Sequence, residues 1–346
     1  MCTMVAAELQ MASELREAPD AVRRQADALA GPLAELIGWS RRTAPGLVVT
    51  CARGSSAHAA TFAKHLFERH LGIPAAAAAP NIASVYRHRL QLKNQLLLAI
   101  SQSGRSDDLT EFVLMAKAAG ALSAAIVNDT ESPLAAACDI VLPTAAGREL
   151  SVAATKSFVA SLAVLLRVVA QWKDDDALHE AIGRLPERLA LATVLQWDEA
   201  VDALSHAASL VTIGRGPTLA IAREAALKLK ETSNLHAEPF SSAEFQHGPM
   251  ALVSPRYPLL LFMPTDEAAA GLRQFAADLR RKGALVLAAE HGEPNAGRLP
   301  ALLPEHPDVD AVCLIQSFYQ LAVGIAARRG TNVDQPRHLQ KVTRTR

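Results

Sequence analysis

QLLLAISQSGRSDDLTEFVLMAKAA, residues 95–119, decides the fold class. From Gln95 to Ile100 the chain reads as a strand whose two alternating faces are both apolar, which belongs inside a sheet covered on both sides. Ser101 to Ser106 is a polar turn. Asp107 to Ala119 then reads as a helix, with acids in its first turn, where the backbone dipole favours them, and Gly120 just past its end. Strand, polar turn and helix in that order begin a βαβ unit.

Working outward, Leu47 to Ala52 is another buried strand, Arg53-Gly54-Ser55-Ser56 a tight turn, and about Ala57 to Leu71 a helix. Leu122 to Val127 and Cys138 to Leu142 supply further strands, so strands and helices alternate as in a parallel sheet with helices on both faces. Met4, Leu9, Met11, Leu15, Val22, Ala26, Leu29, Leu33 and Leu36 stand at helical spacing before it, and Pro45 and Gly46 end that pattern.

The alternation occurs twice. Arg53-Gly54 after LVVTCA is matched by Arg215-Gly216 after LVTIG, Leu96 by Leu259, Gly120 by Gly283, and Ser157-Phe158 by Ser317-Phe318, each about 160 residues on. One α/β fold used twice follows, as two three-layer αβα domains. The expected division is an N-terminal helical segment (1–45), a first domain (46–185), a second domain (195–336) and a C-terminal tail (337–346), with the linker among helices between Trp172 and His206.

Composition narrows the partners. Lys+Arg and Asp+Glu both number 35, so no net field draws nucleic acid or acidic lipid, and a small molecule is the expected ligand. Cys2, Cys51, Cys138 and Cys313 are scattered, which suggests neither disulfides nor zinc. No leader pattern precedes the first helix, and the most apolar stretch, Phe158 to Ala170, is broken by Arg167 and too short to span a bilayer; a cytoplasmic protein with no membrane partner is expected. His65 and His70 read as helix-surface residues, and neither a metal nor a cofactor is expected.

Chemistry concentrates in EAALKLKETSNLHAEPFSSAEFQHGP, residues 224–249. On a helix Glu224, Lys228 and Glu231 line one stripe, two carboxylates around an ammonium, while Ala222, Ala225, Ala226, Leu227 and Leu229 make the rest small or apolar. Enclosed charges need partners or a task. Titratable His236, Glu238, Glu244 and His247 follow in what reads as a loop, so proton-moving groups converge at the end of the helix. Lys228 could steady a developing oxyanion.

The two copies differ at one turn. Ser101, Ser103 and Ser106 with the amides near Gly104 and the positive end of the next helix suit a phosphate, whereas Pro264-Thr265-Asp266-Glu267 at the matching place does not. The glycines fit neither G-x-G-x-x-G nor a P-loop, which disfavours nucleotides.

GSSAHA (54–59), SQSGRS (101–106), AATKSF (153–158), KLKE (228–231), HAEPFSSAEFQHGP (236–249) and VDQPRHLQKVTRT (333–345) resemble the tandem sugar isomerase (SIS) domains forming the isomerase half of glucosamine-6-phosphate synthase. GRSDD, AATK, SSAEFQHGP and KVTRT are closer to the stand-alone branch acting as glucosamine-6-phosphate deaminase. The resemblance implies that Ser56, Ser101, Gln102, Ser103 and Ser106 hold the sugar phosphate, and that Glu231 moves the proton between carbons 1 and 2. It also implies that His247 opens the ring, that Lys341 reaches the carbonyl end, and that the histidine loop enters a neighbouring subunit's site in a homodimer.

Two departures stand out. Cys2 follows Met1 as a cysteine does in the synthase's glutaminase domain, but Thr3 replaces the glycine expected next, and the sugar-isomerase pattern begins too soon to leave room for that domain. Ala154 stands where the synthase has a serine beside the sugar. Glucosamine 6-phosphate deamination is the leading expectation. Alternatives are a synthase-like isomerase subunit, galactosamine 6-phosphate deamination, deglycation of a fructosamine phosphate, and a sensing module without catalysis.

Overall fold

The computed structural model describes residues 9–342, so Met4, Cys2 and the tail beyond Val342 lie outside the described residues. Helices α1 (Gln10–Arg16) and α2 (Ala18–Thr43) lead. The first unit runs through β1 (Val48–Ala52), α3 (Gly54–Leu66), β2 (Ala75–Ala77), α4 (Asn81–Ser84), β3 (Leu96–Ser101), α5 (Asp107–Ala118), β4 (Leu122–Val127), α6 (Pro133–Ala137), β5 (Ile140–Pro143) and α7 (Lys156–Lys173). Helices α8 (Asp176–Thr193) and α9 (Asp198–Ser205) follow. The second unit comprises β6 (Ser209–Gly214), α10 (Thr218–Ser233), β7 (His236–Ser241), α11 (Ser242–Phe245), β8 (Pro258–Phe262), α12 (Ala269–Arg281), β9 (Leu285–Glu290), β10 (Arg298–Pro300) and α13 (Pro307–Arg329).

Both sheets are parallel throughout, ordered β2-β1-β3-β4-β5 and β10-β9-β8-β6-β7. Read from the other edge, the second order is the first one repeated. Gly120 and Gly283 close the helices after the central strands with φ of +85° and +86°, a conformation that glycine adopts without steric penalty. Each carbonyl accepts from the residue two before the strand that precedes its helix, Asn94 N–H ahead of β3 at 2.9 Å and Arg256 N–H ahead of β8 at 2.8 Å.

Several expectations shift. Arg53 to Ser56 is not a turn before a helix, because α3 starts at Gly54, and the chain from Phe67 to Leu71 winds into a π-helical turn. The loop expected after Glu231 contains the edge strand β7, parallel to β6. Cys138 caps α6, and β5 begins at Ile140. The boundary expected at 185 falls inside α8, which packs on α2 and on α13 and so serves both units.

Burial explains the ordering of the layers. Every residue of α7 from Lys156 to Leu166 is buried, which makes it a core helix. Helix α13 is long and apolar enough by composition to cross a membrane, but 83% of its most apolar window is buried against the rest of the chain. Gln316 on it donates to Leu15 O at 2.6 Å, and Gln25 on α2 donates to Thr144 O at 2.7 Å and Ala160 O at 2.8 Å, so buried amides fasten the leading helices to the core.

The two units meet at a polar seam. His65 and His70 are not surface residues: His70 Nε2 is 2.7 Å from Oδ2 of the fully buried Asp308, and His65 Nε2 is 3.8 Å from its Oδ1. His306 Nδ1 stands 3.9 Å away from the same carboxylate, and Arg69 pairs with Asp266 and Glu267 at 3.0 and 3.1 Å. Burial holds the His65 and His306 imidazoles below their ordinary range, against the pull of the Asp308 charge. Burial works to raise the Asp308 carboxyl, but the His70 hydrogen bond and the neighbouring histidines bring it below the usual carboxylate range.

All three folded-state values are depressed. The stability they contribute is therefore present above the unfolded-state values and lost as pH falls through the folded ones. The urea midpoint should drop as pH goes from about 7 to about 4, and His65→Gln with His306→Gln should flatten the upper part of that drop. Superimposable midpoint profiles for the two proteins would show that these histidines carry no linkage.

Candidate active site

The carboxyl ends of β1 and β3, where chain connections leave in opposite directions, open on a cleft of about 210 Å³. Open α/β sheets bind ligands at such switch points. Ser55 and Ser56 come from the first turn of α3, and Ser101, Gln102, Ser103 and Ser106 from the turn between β3 and α5. Neither helix has a side-chain cap, so both present N–H groups and the positive end of a dipole to the cleft.

The turn is held in shape from within. Ser101 Oγ accepts from Gly104 N–H at 3.1 Å and Ser103 Oγ from Arg105 N–H at 3.4 Å. Those two amides are thus occupied by the serines, a correction to the expectation that the amides near Gly104 stand free. Gly104 has φ +63°, and its carbonyl accepts from Leu134 N–H at 3.1 Å, tying the turn to α6. Arg53 lines the cleft and donates to the buried Asp108 at 2.7 and 3.2 Å.

The opposite wall belongs to the second unit. Lys228, 1% exposed on α10, lies 3.4 Å from the fully buried Glu224 and donates to Glu231, which also lines the cleft. Burial works to discharge Lys228, but Glu224 and then Glu231 outweigh it and hold the ammonium above its ordinary range. Burial pushes Glu224 up, and Lys228 followed by His58 brings it below the carboxylate range. The stripe read from the sequence is therefore a buried Glu224–Lys228 ion pair with the partly exposed Glu231 at its cleft end.

Lys341 on the tail lines the same cleft. It donates to Glu149 Oε2 at 3.1 Å and to Ser151 O at 2.7 Å. Glu149 is fully buried and also accepts from Thr155 N–H, Ser157 N–H and Ser157 Oγ at 3.0, 3.1 and 2.6 Å. Burial alone would raise its carboxyl, but Lys341 first and then these donors hold it low, so a fixed anion anchors the tail lysine. Tyr319 is buried, and burial together with Glu224, Glu149 and Glu231 pushes its phenol well above its ordinary range. Val152, Ala154, Leu339 and Gln340 complete the walls.

Of the nine residues expected to hold phosphate or act on the sugar, Ser56, Ser101, Gln102, Ser103, Ser106, Lys228, Glu231 and Lys341 share one cleft. The ninth, His247, is exposed on the turn after α11 and is not among the residues lining the cleft of its own chain. The expected convergence of titratable groups after Glu231 is not found. His236 and Glu238 are exposed on the edge strand, and Glu244 forms a capping box with Ser241. Glu149, His58, Arg53 and Tyr319 escaped the sequence reading, although Glu149 stands just before AATKSF and His58 within GSSAHA. A second hollow of about 220 Å³ in the second unit is lined mainly by apolar residues such as Met263, Leu302 and Leu314, and its Arg188 is neutralised by Asp310 and Glu305. Its Arg273 is likewise paired, with Glu290, so both guanidiniums of this hollow already face carboxylates.

A methyl group on Gly104 would lie 2.0 Å from Ser132 Oγ. The left-handed φ adds roughly 1–2 kcal/mol of strain. Gly104→Ala should therefore displace the serine turn and weaken binding of any phosphate-bearing ligand held there by about tenfold or more, since about 1.4 kcal/mol is a factor of ten. Unchanged affinity by calorimetry would mean that the turn does not hold the ligand.

The chain matches the SIS domain family over residues 46–170 and 203–290. It is 32% identical over 329 residues to the isomerizing glutamine–fructose-6-phosphate aminotransferase of Brucella abortus, covering 89% of this chain and 53% of that protein. The chain thus spans about half the length of the curated relatives it matches. A candidate phosphosugar isomerase from Silicibacter pomeroyi superposes with TM-score 0.90 at 42% identity, over 94% of this chain and 100% of that one. Glucosamine-6-phosphate deaminase from Thermotoga maritima shares the fold, with TM-score 0.76 at 22% identity over 97% and 100% of the two chains. With the tandem sheets and the family match in both units, the chain belongs to the SIS domain family of sugar isomerase folds.

Proposed function

We propose that this protein is an amino-sugar phosphate isomerase and deaminase, converting glucosamine 6-phosphate or a close analogue to fructose 6-phosphate and ammonia. The observation that supports it is the shared cleft: the serine turn of the first unit and Glu231 of the second open on the same space. An anion held at Ser56, Ser101, Gln102, Ser103 and Ser106 would leave the far end of a sugar chain facing Glu231, Lys228 and Lys341.

In the open 2-amino aldose, the Glu231 carboxylate takes the proton from carbon 2 as the carbonyl oxygen gains one, giving an enaminol. Returning a proton to carbon 1 gives a ketimine, and water adds to its carbon 2 as ammonia leaves. The Lys228 ammonium both orients Glu231 and offsets negative charge as it grows on the substrate oxygen. Lys341, fixed by Glu149, stands where it can meet the carbonyl end. His247 is too exposed to serve its own cleft, and we propose that it completes the site of a partner subunit in a homodimer, opening the sugar ring there. Ala154, small and apolar in the wall of the cleft, offers no hydroxyl contact, which keeps the galactosamine epimer as a second reading.

Incubation with a panel of amino-sugar 6-phosphates, followed by an ammonia assay, tests this. Turnover of a phosphosugar without ammonia removes the deaminase step, and no turnover of any removes the enzyme reading. Glu231→Gln should lower kcat by about 10²–10⁴ with binding retained, whereas Ser101→Ala with Ser103→Ala should chiefly weaken binding. A Glu231→Gln protein with unaltered rate would mean that another group moves the proton.

A further inference from the structure

We infer that His58 is a positioning residue for the base, acting from the first unit through Glu224 and Lys228 on Glu231. The inference rests on the isomerase and deaminase reading above. His58 lies on α3, two residues beyond Ser56, and its Nδ1 is 2.7 Å from Glu224 Oε2. Because Glu224 is an anion, Nδ1 is the protonated nitrogen and donates. The other oxygen of Glu224 lies 3.4 Å from Lys228 Nζ, and Lys228 bonds Glu231. One chain of contacts thus runs from the helix that bounds the serine cradle to the carboxylate facing it.

The distances show how the chain works. Lys228 has two carboxylates to choose from, and it sits closer to the partly solvated Glu231 than to the fully buried Glu224. A buried carboxylate lacking donors would capture that ammonium, since an unpaired charge in the interior costs several kcal/mol. The His58 N–H gives Glu224 Oε2 a hydrogen bond, so the carboxylate keeps only a 3.4 Å ion pair with Lys228 through Oε1 and leaves that ammonium for Glu231. Without His58, Lys228 swings toward Glu224, and Glu231 loses the partner that fixes its rotamer. The serine cradle takes no part in this exchange, so ground-state binding is untouched while the proton transfer is misaligned.

Arg223 provides an internal control. It also bridges α10 to α3, donating to Thr61 Oγ1 at 3.0 Å, a bond outside the His58–Glu224–Lys228–Glu231 chain. Four variants decide the matter: His58→Leu, His58→Ala in case leucine fails to fold, His58→Asn and Arg223→Leu. Each is assayed for kcat, KM, phosphosugar binding and melting temperature. The apolar His58 variants should lose about 10–100-fold in kcat, with KM and binding within about threefold. His58→Asn, whose amide N–H stands near the place of Nδ1–H, should recover kcat to within about fivefold, and Arg223→Leu should stay within about threefold. Undiminished kcat in the apolar variants, or equal losses in all of them that follow the melting temperature, overturns the inference while the wild-type rate leaves the parent reading intact. A wild-type protein inert toward every amino-sugar phosphate overturns both.

Discussion

Lys228 is an ammonium removed from water, and most of the architecture around the cleft can be traced to what that demands. Burying such a cation without partners costs several kcal/mol, so carboxylates one turn to either side on α10 are needed to hold the charge. Glu224, buried in turn, takes a donor besides Lys228, and that donor comes from α3 of the other unit. Satisfying one charge therefore forces the two units together at a set register. The same register brings the serine turn opposite Glu231.

The second anchor follows similar logic. Glu149 has no exposed surface, yet accepts two backbone amides, a hydroxyl and the tail lysine. A carboxylate with that many donors stays ionised, and an ionised carboxylate at this depth holds the Lys341 side chain in place. The segment leading into the tail is tied to α1 through Asp334, which accepts from the Gln10 and Met11 amides, and Leu339 to Lys341 then line the cleft. Both charged networks draw on segments far apart in the chain.

That separation explains what could be read from the residues alone. The apolar strands, α5 with its acidic first turn, the doubled pattern and the α10 stripe are all local signals or repeats of one, and they reappear within a residue or two. The short edge strands β2 and β7 did not, because Ala75–Ala77 carries no strand-like side chains and β7 contains Glu238 and Pro239, which only an edge position tolerates. His70 reads as a surface histidine because its partner Asp308 is 238 residues away, and Glu149 as an ordinary loop acid because Lys341 lies 192 residues on. Helical periodicity tells which face is polar, but not whether another element will cover it.

Duplication gives each unit the same crevice, so the two turns that line them had to diverge for only one to hold a phosphate. In the first unit the turn carries hydroxyls with no acid among them from Ser101 to Ser106, and it stays open to the cleft. In the second, Asp266 and Glu267 would repel an anion, and they are spent instead on Arg69 of the first unit, beside the His70–Asp308 pair. The turn that cannot bind phosphate thus helps clamp the seam across which the other turn must face Glu231. A duplicated fold with two equivalent anion sites would leave each unit free to bind its own ligand. Converting one site into a fastener makes the pair a single body with one cleft, and only a single body can keep a phosphate grip and a proton acceptor at a constant separation.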